Sequence, residues 1–149
     1  MSVSVDGKRA ERAVQEWLTE RSARDVRFAF HRYPDSHAAR GILSAQPADY
    51  LVARWATFDR SEATNLEVKE TSEVTRLPRA KITQYGKLKM FDMAGFRTVV
   101  IVYLSAKKMW TYFERDTLFP NTEQTPTSFP FEGRPLYPTA AEALQYIFS

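Results

Sequence analysis

The run Arg97-Thr-Val-Val-Ile-Val-Tyr-Leu104 places the tightest constraint on what this chain can fold into. It is apolar and β-branched without alternation, so as a strand it needs cover on both faces. Such a strand belongs inside a sheet that carries a layer on each side. Three segments can supply those layers. Ala10, Ala13, Val14, Trp17 and Leu18 fall at helical spacing between Gly7 and Ser22, which predicts an amphipathic first helix. Glu11 precedes Val14 and Leu18 on the same turn spacing, so it flanks the apolar stripe. A second helix is expected from Arg79, just after Pro78, to Ala94, with Gly95 ending it and Gly86 weakening it. A third opens on the capping-box pattern Thr139-Ala-Ala-Glu142 and runs to Phe148.

The remaining strands read from alternation and aromatic content. They are Val26 to Tyr33, Asp49 to Thr57, Thr64 to Glu70, and Met109 to Phe113 as a hairpin partner after a turn at Ser105 to Lys108. Phe58 to Ala63 reads as a polar turn. Five of the eight prolines crowd into Pro120 to Pro138, which predicts a long surface connection. The order αβββαββα implies an α/β fold with a central mixed sheet flanked by helices, and 149 residues suit one domain. With no cysteine there is neither a disulfide framework nor a thiolate metal site. No apolar run is long enough for a membrane span, and MSVSVDGKRAER lacks a signal-peptide core, so a cytoplasmic protein is expected.

Between Arg76 and Arg97 six basic residues face a single acid, Asp92. A local excess of this kind is what an anionic polymer would meet, although a solvated helix face gives the same pattern. Chemistry enters with Pro47-Ala-Asp-Tyr and Leu66-Glu-Val-Lys-Glu-Thr71. Period-two alternation puts Glu67 and Lys69 on one face of their strand, opposite Leu66 and Val68. If the Asp49 and Glu67 strands are neighbours, the two carboxylates and a backbone carbonyl between Glu67 and Lys69 form an all-oxygen site suited to Mg²⁺. Lys69 then stands where it can orient or deprotonate a water, the arrangement a phosphodiester hydrolase needs. Trp17 and Trp55 read as core or interface residues. His31 and His37 lie too far from the carboxylates in sequence to suggest a metal site.

The set PADY…LEVKET resembles the PD-(D/E)xK nuclease motif, and Gly7-Lys-Arg-Ala-Glu11-Arg is similar to the first helix of cellular Holliday-junction resolvases. Within that superfamily the chain resembles RecU-type resolvases at Glu67-Val-Lys-Glu-Thr71, at Thr75-Arg-Leu-Pro78 and at Gln84, with similarity extending to about Phe119. The resemblance implies a restriction-endonuclease-like core. It implies that Asp49, Glu67 and the Val68 carbonyl bind Mg²⁺, with Mn²⁺ as a substitute, and that Lys69 positions the nucleophilic water. Glu11 would hold a metal-bound water or a second ion, and Gln84 would brace the site. His31 to Gln46 matches the position of the RecU stalk but is short, as would suit a phage-encoded member working in a host cytoplasm. Arg32 and Arg40 beside that segment, and Arg76, Arg79, Lys81, Lys87 and Lys89 beyond it, are candidate phosphate contacts. The expected activity is symmetric cleavage of four-way DNA junctions by a homodimer, without a membrane role. Other nucleases of this superfamily, and a non-catalytic DNA-binding module, remain alternatives.

Overall fold

In a computed structural model of the protein, residues 3–34, 46–57 and 60–149 are described. Helix α1 (Val3–Arg24) buries Ala10, Val14, Trp17 and Leu18, the stripe its spacing predicts. Strands β1 (Phe28–Arg32), β2 (Tyr50–Thr57) and β3 (Arg60–Thr71) follow as an antiparallel meander. Strand β4 (Arg76–Pro78), a 3₁₀ turn (Arg79–Lys81) and helix α2 (Tyr85–Met93) lead into β5 (Arg97–Leu104) and β6 (Met109–Phe113). Helix α3 (Arg115–Leu118), strand β7 (Ser128–Pro130) and helix α4 (Ala140–Ile147) complete the described elements.

The main sheet has the order β1-β2-β3-β5-β6, with β3 and β5 parallel and the other pairs antiparallel. This is a mixed α/β sheet packed between helices, as the sequence implies. The parallel pairing sets the two faces. Leu66 and Val68 lie beside Val99 and Ile101 and face α1 and α4, while Glu67 and Lys69 lie beside Val100 and Val102 on the opposite face. That second face is covered by Leu77, Ile82, Leu88, Phe129 and Phe131. The doubly covered run Arg97–Leu104 therefore divides one core from the other.

Three boundaries differ from expectation. Residues 60–63 extend β3 instead of turning: Ser61 and Glu62 pair with Trp55 and Arg54 across a bulged hairpin. Glu62 also accepts from the side chains of both Arg54 and Arg97, which secures this polar end of the strand. The expected helix from Arg79 is split. Arg79 N–H donates to Thr127 and Ile82 N–H closes a 3₁₀ turn on Arg79, so the α-helix starts only after Gln84. Gly95, at φ 115°, ends α2 in the left-handed conformation that glycine adopts without strain.

The proline-rich stretch is more than a surface connection. Strand β7 pairs with β4 in a separate two-stranded sheet, and Phe129 and Phe131 bury beneath β5 and β6. A three-residue strand bounded by prolines gives too short an alternation to be read from sequence. Helix α4 has the expected cap, with Glu142 N–H donating to Thr139 Oγ1 at 3.1 Å. At its other end Arg97 donates to the Ile147 carbonyl and Arg54 to those of Phe148 and Ser149. Trp55 is exposed, and Arg27 lies over its ring, so it is not a core residue; Trp17 is.

Candidate active site

Asp49 sits one residue ahead of β2, preceded by buried Pro47 and Ala48, and its carbonyl accepts from Tyr33 N–H at 2.9 Å. Tyr50 pairs with Leu66, so continuing the register places Asp49 opposite Glu67. The aspartate side chain takes over the ladder here: Oδ2 accepts from Val68 N–H at 2.8 Å. A strand residue points its N–H and C=O the same way, so the Val68 carbonyl is directed toward this edge as well.

Glu67 is buried, 5% exposed, and its Oε2 lies 3.3 Å from Lys69 Nζ. Burial pushes the Asp49 carboxyl up, and the charge of Glu67 and a hydrogen bond with it push the same way. The Val68 N–H and the Lys69 charge oppose the rise, and Asp49 ends at about 7. Once Asp49 ionises, above about 7, two carboxylates share the one ammonium held by Glu67 and the site is net negative. That deficit is what a small divalent cation would neutralise.

Asp49, Val68 and Lys69 open onto a cleft of about 590 Å³ that Glu11, Glu70 and Lys81 also line. Glu11, half-buried on α1, lies 3.6 Å from the Arg32 guanidinium. No group of three or more His, Cys, Asp or Glu side chains placed to hold a metal occurs among the described residues. The donors at hand are two carboxylates and a backbone carbonyl. They fit Mg²⁺, an ion that takes hard oxygen ligands from one or two carboxylates and keeps several waters.

The other candidate residues separate into groups. Gln84 is the N-cap residue of α2, half-buried, with its carbonyl accepting from Leu88 N–H, and it is not among the described residues lining the cleft. Arg76 and Arg79 donate to Ser128 and to the Pro126 carbonyl, so both hold β7 against the segment after β3. Lys87 is half-buried on α2, whereas Lys81 and Lys89 are exposed. Arg40 and His37 lie outside the described residues.

Two features of the cleft escape the sequence reading. Lys8 lines it from α1. Glu70 has a side chain only 5% exposed, which pairs with Arg9 at 2.6 Å beneath a guanidinium resting over Tyr103, and its second oxygen has no hydrogen-bond partner among the described residues. Lys8 carries a local hint, because it adjoins the Gly7–Arg12 tract. The Arg9–Glu70 pair spans 61 residues and leaves no local signal.

The chain matches no protein-family model. No curated protein is significantly similar to it. Among solved structures it is similar to Hjc, a Holliday junction resolvase of the archaeal hyperthermophile Archaeoglobus fulgidus. The two share 21% identity over 83% of this chain and 86% of that one, with a TM-score of 0.47.

Proposed function

We propose that the protein is a Mg²⁺-dependent endodeoxyribonuclease of RecU-like type that acts on four-way DNA junctions. The observation that carries this is the Asp49–Val68 contact. It sets a carboxyl raised to about 7 opposite buried Glu67, with Lys69 3.3 Å from Glu67, and Asp49, Val68 and Lys69 line a cleft.

Asp49, Glu67 and the Val68 carbonyl would hold the ion. When bound, Mg²⁺ offsets negative charge developing on the phosphoryl oxygens and acidifies water near it. The chain's own residues supply the rest. Lys69, anchored on Glu67, orients the attacking water and places a positive charge beside the oxygen that attacks phosphorus. Lys81 meets the incoming phosphate backbone at the cleft rim. Glu11 adds a third carboxylate at the α1 wall, where it pairs with Arg32 at 3.6 Å. Symmetric resolution of a junction requires two equivalent sites, so the working form is a two-fold homodimer.

The test compares a synthetic four-way junction with a linear duplex of matched sequence, both in Mg²⁺. Paired, symmetric nicks on the junction alone are expected. Equal cutting of both would make the protein a nuclease without junction selectivity. Cutting of neither, with metal and folded protein verified, would leave the fold without this activity.

A further inference from the structure

Lys8 and Lys81 both line the cleft that holds Asp49 and Lys69, yet they belong to opposite layers of the molecule. Lys8 stands on α1, which packs on the Leu66 and Val68 face of the sheet. Lys81 ends the 3₁₀ turn whose neighbour Ile82 packs on the Val100 and Val102 face. The cleft thus crosses the end of β3 from one layer to the other. It is also lined by Thr71 and Ser72, where β3 ends, and by Ser105, whose N–H and hydroxyl both donate to the Thr71 carbonyl.

Both lysines are exposed, so their ammonium groups remain hydrated. Those are the properties of a point-charge phosphate contact, in contrast to a rigid ion pair. A single DNA strand has one charge per nucleotide and is narrow enough to cross a cleft with a cation on each wall. A duplex meeting the same cleft would have to present one backbone edge-on.

We infer that the cleft takes one DNA strand across the end of β3, with Lys8 on the α1 wall and Lys81 on the opposite wall holding phosphates on either side of the Asp49–Glu67 pair. This rests on the nuclease function proposed above. It adds a binding residue, Lys8, outside the basic segment, and it gives the path of the strand across the cleft. Lys8 and Lys81 act independently, because each meets a different phosphate from a different layer.

The experiment measures junction affinity over a salt series in chelator, then cleavage in Mg²⁺ over a DNA concentration series. The variants are Lys8→Ala, Lys81→Ala, the double variant and Lys8→Arg, with Arg24→Ala, at the far end of α1, as a charge control. Each alanine should lower the slope of log affinity against log salt by about 1, and the double variant by about 2. The cleavage deficit of Lys8→Ala should shrink as DNA concentration rises, and Lys8→Arg should recover most of the slope. A wild-type slope for Lys8→Ala, or a loss matched by Arg24→Ala, overturns the clamp while cleavage by the wild-type protein keeps the nuclease function. A wild-type protein that neither binds nor cuts DNA overturns both.

Discussion

Asp49 is a carboxyl that the fold holds partly against its own charge. Its value of about 7 lies above the ordinary 3.8, so the folded chain binds more protons than the unfolded one between those limits. The stability that goes with the protonated form is complete below about 3.8 and is lost as pH rises through about 7. Asp49→Asn should therefore stabilise the metal-free protein at pH 8 by something on the order of a few kcal/mol, and far less at pH 4. Urea unfolding in chelator at the two pH values measures this, and an equal effect at both would mean that Asp49 is not strained. Mg²⁺ should raise the melting temperature of the wild-type protein but not of Asp49→Asn, and the variant should bind junctions without cutting them. At Lys69, alanine should remove most turnover while leaving junction affinity in place. Arginine should rescue poorly, because a planar guanidinium presents its donors differently and does not give up a proton. Single-turnover rates across a pH series decide this; a wild-type profile for Lys69→Arg would reduce the lysine to a fixed charge.

The elements that hold the site differ in what they support. Strand β7 carries fully buried Phe129 under β6, and its neighbours bind Arg76 and Arg79. Phe129→Ala should cost about 3–5 kcal/mol as a core cavity. It should also weaken DNA binding, since the turn bearing Lys81 loses its backing. The cap of α4 is a control for that coupling. Thr139→Ala removes the hydrogen bond to Glu142 and should cost about 1 kcal/mol, with DNA affinity unchanged. Thermal unfolding combined with binding isotherms separates the two cases. If both variants weakened binding in proportion to stability, β7 would have no special tie to the cleft.

At the scale of the molecule, a formal net charge of +3 is too small to explain strong DNA affinity unless the charge is localised. Replacing Lys81, Lys87 and Lys89 together with alanine should weaken binding to every DNA form and lower the salt slope by about 3. An unchanged slope would make the segment from the 3₁₀ turn through α2 a solvated face with no role in binding. The proposed two-fold assembly predicts a mass near twice 17.2 kDa in sedimentation at the concentration where junctions are cut. A monomer that still nicks both strands in concert would remove the need for a dimer.

What the sequence determined by itself was set by periodicity. The unbroken apolar run to Leu104 required a doubly covered central strand, the stripe from Ala10 to Leu18 required a packed helix, and Thr139 with Glu142 marked the last helix start. Alternation alone put Glu67 and Lys69 on one face, because strand side chains have a period of two whatever surrounds them. Only the tertiary structure decided the rest, because those features depend on residues distant in the chain. The Asp49 carboxyl is raised by its burial and by Glu67, which lies on another strand. Arg76 and Arg79, basic by composition, are drawn to carbonyl and hydroxyl groups of a segment some fifty residues on, a pairing that charge counting cannot see. The β4–β7 pair is too short to show a pattern and forms because its aromatic residues fill the face beneath β5 and β6. Lys8 and Lys81 meet at one cleft because the sheet ends between the layers that carry them, and no spacing within either segment encodes that.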